Sequence, residues 1–418
     1  MLIERYGNNK VMIINDQRFK INRIGIAFID KLEKFNNTLN ALFPMVLIRG
    51  NNKYKDLKEI NKFCEMMYGA SLSVDVSKKG DLQIINFSLS LINDNYSPEP
   101  LINKAIEFLY DIIYGPINFG GGFNSQNIEQ EKNNLKLMIE SRINDKVEYA
   151  IDRCIEIMFE GDNFALFEKG DINDLENINK EILYNHYVNI VMKKPFYIYA
   201  FGDYNRDNLN DIINRYFDLS SNREVIQNNF DFTNALIDTK YIKEEMEVNQ
   251  GKLSIGIRTN IDTRSDEYYK LILLNGILGT SPKSKLFENV REKASLCYYA
   301  FSRLDKFKPM MIISSGIEVV NYDKALSLII EQIEDIKKGN ITKEEYESTI
   351  NYFYTMYKSV YDSPRDLVNF YFNQSLIDRI YEPFEIFEFI RKHLIEDIVT
   401  ISNKLVIDTV YFLKNREV

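Results

Sequence analysis

The segment Arg291-Glu-Lys-Ala-Ser-Leu-Cys-Tyr298-Tyr299 gathers a guanidinium and two phenols in one short stretch. An arginine is a fixed cation with a rigid fork of donors, and a tyrosine adds one hydroxyl donor. Residues 296–301 predict a strand, in which successive side chains point to opposite faces, so only one of Tyr298 and Tyr299 can share a site with Arg291. The other groups that could do chemistry are sparse. Only two histidines occur, His186 and His393, far apart, so no His-x-x-Glu-His zinc motif can be written. His186 lies between Asn185 and Tyr187 in a helical stretch, His393 lies between Lys392 and Leu394, and both read as ordinary structural histidines. Cys297 sits inside the Arg291–Tyr298 segment, but its neighbours are apolar or aromatic and no histidine adjoins it, which argues against a nucleophile. Gly120-Gly121-Gly122 lacks the Gly-Lys-Ser/Thr that completes a phosphate loop, and reads as a connector.

Elements of a sizeable molecule must position these groups. A chain of 418 residues with 45% hydrophobic content exceeds what one core usually holds, so at least two domains are expected. A net charge of −9 argues against general attraction to nucleic acid or to an anionic membrane surface. No stretch approaches the roughly 20 apolar residues of a membrane span, and residues 41–48 form the most compact apolar run. The opening residues lack the apolar core and cleavage site of a secretory signal. Cys64, Cys154 and Cys297 are odd in number and lack a Cys-x-x-Cys pair, so neither a disulfide framework nor a structural zinc site is expected. Together these point to a cytoplasmic protein.

The same order of elements recurs twice along the chain. Ala70-Ser71-Leu72 and Ala294-Ser295-Leu296 each follow a polar helical stretch and lead into a strand, a charged turn and a return strand, at 82–91 and 310–317. A helix comes next, at 100–113 and at 322–338. A long helical pair follows in each copy, at 127–160 and 343–377, broken at Asn144-Asp-Lys146 and at Asp362-Ser-Pro-Arg365. Strands that neighbour as hairpins and alternate with helices predict an α+β fold, not a doubly wound parallel sheet. The expected organisation is an N-terminal domain at 1–218, a polar linker at 219–241 and a C-terminal domain at 242–418.

Several motifs in this order resemble the M16B (insulinase-like, pitrilysin-like) peptidases. They are Ile128-Glu-Gln-Glu131-Lys132, Phe167-Glu-Lys-Gly170, Lys194-Pro195 through Gly202-Asp203, Leu274 through Phe287 and, most specifically, Arg291 to Tyr298. Tyr68-Gly-Ala-Ser, Lys78-Lys-Gly-Asp81 and the run Val290 to Asp305 are similar to the zinc-free, YmfF-type members, which occur beside a zinc-bearing sister. The resemblance implies two homologous α/β-roll domains of the LuxS/MPP-like metallohydrolase fold, each an antiparallel-rich sheet packed with helices. It also implies that Arg291 and Tyr298 hold a backbone carbonyl of the substrate and stabilise a developing oxyanion, with Tyr298 facing the chamber and Tyr299 the core.

A working M16 site takes its zinc from two histidines and a glutamate and has a carboxylate base between the histidines. Aligned on Arg49-Gly50-Asn51, the family's pattern puts Ala41, Pro44 and Met45 where the first histidine, the carboxylate base and the second histidine would stand. On the following helix Glu131 matches a supporting carboxylate, but Met138 stands where the third ligand belongs, and Glu140 points about 200° away from it. Residues 41–48 then read as plain helix core. No metal is expected in this chain; zinc is expected in a partner.

Three functions are compatible with this inventory. In the first, a non-catalytic M16 homologue pairs with a zinc-bearing sister subunit, or with itself, to close a chamber for peptides or unfolded segments, and lends Arg291 and Tyr298 to substrate binding. The second is a metal-free scaffold that binds a peptide or protein without proteolysis. The third, an independent zinc metallopeptidase, lacks the ligands.

Overall fold

The computed structural model describes residues 1–118, 120–228 and 238–416. In chain order the strands are β1 (Leu2–Tyr6), β2 (Asn9–Asn15), β3 (Ile21–Lys31), β4 (Ser71–Lys79), β5 (Leu82–Ile92) and β6 (Phe196–Gly202). They continue with β7 (Lys240–Glu245), β8 (Gly251–Arg258), β9 (Cys297–Leu304), β10 (Met310–Ile317) and β11 (Val406–Lys414). The first helices are α1 (Asn36–Leu47), α2 (Leu57–Met66), α3 (Ile102–Tyr114), α4 (Ser125–Glu140), α5 (Lys146–Met158), α6 (Ile172–Leu175), α7 (Lys180–Lys193) and α8 (Arg206–Tyr216). The later ones are α9 (Glu267–Asn275), α10 (Tyr322–Lys337), α11 (Lys343–Ser359), α12 (Pro364–Ser375), α13 (Pro383–Arg391) and α14 (Ile395–Ser402).

These elements form two compact units, one of Met1–Glu140 with Leu166–Asn228 and the other of Ser141–Ala165 with Asn229–Val418. The first contains a six-stranded sheet in the order β1-β2-β6-β3-β5-β4, the second a five-stranded sheet in the order β7-β11-β8-β10-β9. Apart from the extra β1 the two orders correspond strand for strand. In each, the first of the corresponding strands runs parallel to the last (β2 with β6, β7 with β11), and every other pair is antiparallel. The fold is therefore α+β, with antiparallel-rich sheets and a repeated topology.

The hairpins fall where the repeated Ala-Ser-Leu triplets place them. Lys79 pairs with Leu82 across Gly80-Asp81, and β9 and β10 pair from Leu304 opposite Met311 back to Tyr299 opposite Gly316. The breaks in the helical pairs are also local in origin. Asp145 caps α5 by accepting from the amides of Val147 and Glu148, and Ser363 caps α12 with Pro364 in its first turn.

The change of unit after Asn228 falls inside the expected linker at 219–241, but the first unit is not the continuous stretch 1–218. Residues 141–165, including α5, belong to the second unit, and the described residues 219–228 belong to the first. Residues 229–237 of the expected linker lie outside the described residues. The apolar stripe of α5, Ala150, Ile151, Cys154 and Met158, is fully buried against Met310, Ile312, Tyr411 and Leu413. Gly256 makes room for it on β8, since a Cβ there would sit 2.8 Å from the Met158 sulfur. The other face of that sheet packs Leu253, Ile255, Ile257, Met311, Ile313 and Phe412 beneath helices. A sheet covered on both sides explains why β10 is buried along its whole length.

Candidate functional site

The segment carrying Arg291 is not an ordinary helix. After α9 the chain widens into a π-helical turn at Gly276–Thr280, where the Ser281 amide donates to the Gly276 carbonyl at 3.0 Å. A second π-helical segment, Leu286–Lys293, closes with the Ala294 amide donating to Asn289 at 3.2 Å. Such geometry is rare in proteins and concentrates at functional sites. The first turn abuts β9: Thr280 Oγ1 donates to the Ser302 carbonyl at 2.9 Å, and Ser302 Oγ donates to the Asn275 carbonyl at 3.2 Å. The approach is so close that a Cβ on Gly279 would lie 2.5 Å from the Ser302 nitrogen. Ser295, at φ 51°, then reverses the chain from the second π-helical segment into β9.

Around this reversal, Arg291 and Tyr298 stand on consecutive elements of one unit. The Arg291 side chain is 41% exposed, its guanidinium lies over the Phe287 ring at 4.7 Å, and its carboxylate neighbour is Glu292 at 3.5 Å. An exposed pair of this kind is worth little and does not immobilise the cation. Tyr298 is 78% exposed. Tyr299 is only partly exposed, and β9 shifts register against β10 between it and Cys297. Its ring stacks against Phe301 at 5.8 Å, Lys252 sits 5.5 Å above it, and its hydroxyl is fully buried. Burial pushes the Tyr299 phenol up to about 12, so it stays protonated at neutral pH. Burial also raises the Cys297 thiol, against smaller opposing effects of Ser315 and Arg291, which leaves it a poor nucleophile.

The positions aligned with metal ligands lie in the other unit. Ala41 and Pro44 are buried in α1, and Met45 packs against the core beside them. Met138 is half-exposed on α4. A methyl group, a pyrrolidine ring and two thioethers offer none of the nitrogen, thiolate or carboxylate donors that zinc takes, so these residues do not fit the metal. Among the described residues no three His, Cys, Asp or Glu side chains gather to hold a metal ion. Glu131 is buried on α4 and occupied: one oxygen accepts from Arg49 Nε, the other from Asn134 Nδ2 at 3.1 Å. Glu140 lies 3.9 Å from Lys136 on the helix surface.

A polar network anchors α1 instead. Asn40 Nδ2 donates to Asp30 at 3.0 Å and to Gln83 Oε1 at 2.9 Å, which leaves its Oδ1 to accept from His186 Nε2 at 2.7 Å. Lys194 reaches the same Asp30 at 3.0 Å. Gln83 donates to the carbonyls of Asn37 at 3.0 Å and Glu168 at 2.5 Å, and Thr38 donates to Asp174 at 2.6 Å. Burial pushes the His186 imidazole down to about 4, with Lys194 adding to the effect and Asp30 opposing it, so the ring is neutral. These partners are spread from Asp30 to Lys194, and no local motif announces them. His393 is buried in the second unit, 3.5 Å from Asp397, and its carbonyl accepts from the Tyr346 hydroxyl at 2.7 Å. In the glycine run at 120–122 the Gly121 amide donates to Asn118 Oδ1 at 2.7 Å.

The two units thus share one α+β topology, with an exposed Arg–Tyr segment in one and, in the other, a helix whose residues 41, 44 and 45 carry no zinc donor. A family model described as Peptidase M16 inactive domain matches residues 177–353. Over 423 residues the chain is 33% identical to "Probable inactive metalloprotease YmfF" of Bacillus subtilis (strain 168), covering 100% of this chain and 98% of that one. A shorter match, 28% identical over 113 residues and 27% of each chain, is to "Uncharacterized zinc protease YmxG" of the same organism. Among solved structures, a conserved protein from Enterococcus faecalis V583 superposes with a TM-score of 0.89 at 26% identity, covering 98% of this chain and 97% of that one. The chain belongs to the M16 peptidase family. No helix among the described residues is long and apolar enough to cross a membrane.

Proposed function

We propose that this chain is the non-catalytic subunit of a two-chain M16 peptidase of the cytoplasm, gripping peptides or unfolded segments while a zinc-bearing sister performs hydrolysis. The observation that carries this reading is the split inventory. Tyr298 stands exposed on β9 and Arg291 half-exposed on the segment before it, whereas Ala41, Pro44, Met45 and Met138 offer no zinc donor. A permanent cation and a phenol donor hold a substrate carbonyl and stabilise the oxyanion that forms when zinc-activated water attacks it. That stabilisation works on a scissile bond only when a metal is supplied from elsewhere, hence the expected partner.

The match to a chain named inactive metalloprotease favours a second reading, a metal-free scaffold that binds peptide and joins no protease. One experiment separates the two. Purified chain is mixed with a zinc-bearing M16 subunit from the same cell, and cleavage of an unstructured fluorogenic peptide is followed. The first reading expects turnover by the mixture and its loss in Arg291→Ala/Tyr298→Phe. Unchanged turnover in that variant sinks the shared site, and the absence of any complex between the chains favours the scaffold. Elemental analysis of the chain alone should return no zinc.

A further inference from the structure

We propose that Lys285 is a positioning residue: its ion pair with Glu345, together with the hydrogen bond from Asn289 to Gln332, sets the rotation of the π-helical segment from which Arg291 projects. The proposal rests on the reading of Arg291 as a peptide-gripping group. Lys285 immediately precedes the segment and is almost completely buried, with its ammonium 3.0 Å from Glu345 Oε1. Glu345 is itself fixed. Its other oxygen accepts from the Thr342 amide at 2.8 Å, and its own amide donates to Thr342 Oγ1 at 3.1 Å, a capping box at the start of α11. The carboxylate is therefore held in place by the helix end, and Lys285 docks onto it.

One turn later, Asn289 Nδ2 donates to Gln332 Oε1 at 2.5 Å, and Gln332 on α10 is oriented by its own bond to the Leu328 carbonyl at 3.2 Å. Asn289 Oδ1 accepts from Lys293 at 2.9 Å. Lys285 and Asn289 thus anchor the segment to two different helices, and the adjacent Leu286 and Val290 are fully buried. Arg291, the next residue, is left pointing outward.

Helix stability does not account for Lys285, because a cation near the N-terminus of α11 opposes the helix dipole. Nor is a buried ion pair a cheap way to fill space, since apolar residues of the same volume commonly serve as well or better. What the pair does provide is orientation. The ammonium cannot leave Glu345 without stranding a buried charge, so the segment cannot slip or relax toward an ordinary helix, which would rotate Arg291 relative to β9.

The test uses the full chain and a fluorescein-labelled, uncharged peptide rich in Ala, Ser and Thr, which presents backbone carbonyls and little else. Lys285→Met/Glu345→Gln removes both charges while glutamine keeps the capping box. The expected result is binding weakened about tenfold, within the range for coupled groups, with faster hydrogen exchange at 286–293 and unchanged exchange elsewhere. If the double variant does not fold, Gln332→Leu, which frees Asn289 alone, is read in the same way. Arg291→Ala is measured alongside. If it weakens binding and the anchor variants do not, the positioning role is wrong and the grip survives. If Arg291→Ala itself has no effect, the grip fails and this proposal fails with it.

Discussion

His186 Nε2 donates to Asn40 Oδ1 at 2.7 Å, which ties α7 to α1 one residue before the first position aligned with a metal ligand. The bond fixes the tautomer, because Asn40 has already used its amide protons on Asp30 and Gln83. Burial of the ring makes stability depend on pH. The imidazole is held at about 4 in the folded chain against an ordinary 6.5. The unfolded chain therefore binds the proton first on acidification, and the contribution is full above pH 6.5 and lost as pH falls toward 4. The expected loss is roughly 3 kcal/mol across that window. Urea titrations at stepped pH check it, and His186→Gln should flatten the slope there; an equally steep slope in the variant would place the effect elsewhere.

The Arg49–Glu131 pair links the end of α1 to α4, with Glu131 nearly sealed from solvent. Arg49→Met should cost about 3 kcal/mol, since it strands a buried carboxylate. Adding Glu131→Gln should recover most of that loss. A double variant no more stable than the single one would show that the arginine acts through packing instead of charge.

Gly279 is where the first π-helical turn meets the Ser302 backbone. An alanine there has no flexible side chain to push aside, so Gly279→Ala should destabilise by about 1–3 kcal/mol, as overpacking does. Thermal melting of the two proteins measures it, and an unchanged melting temperature would contradict the close approach.

Tyr298 and Tyr299 should separate cleanly on truncation. Tyr298→Ala removes a mostly exposed ring and should change stability by no more than about 0.5 kcal/mol. Tyr299→Ala empties the space against Phe301 and Gly316 and should cost about 3 kcal/mol. Equal losses in the two variants would mean that β9 presents its faces differently.

Much of the architecture is written in short-range patterns. The paired Ala-Ser-Leu hairpins and the helix breaks at Asp145 and Ser363 follow from caps and turn residues, which act over a few positions. The lack of zinc donors at Ala41, Pro44 and Met45 is likewise a matter of residue type. Other features depend on partners distant in the chain, and only packing selects them. α5 continues the first copy's helical pair in sequence, yet its apolar stripe is buried in the second unit because Gly256 and the β8–β11 face leave room for it. The π-helical segment around Arg291 is bonded through Lys285 to Glu345 and through Asn289 to Gln332, each more than 40 residues away. The buried bonds of Asn40 join β3, β5 and α7, whose adjacency is a property of the sheet and its covering helices and not of any local stretch. Residue types and spacings along the chain thus identified the groups available for chemistry, and tertiary contacts decided which of them are held, which are buried and which remain exposed.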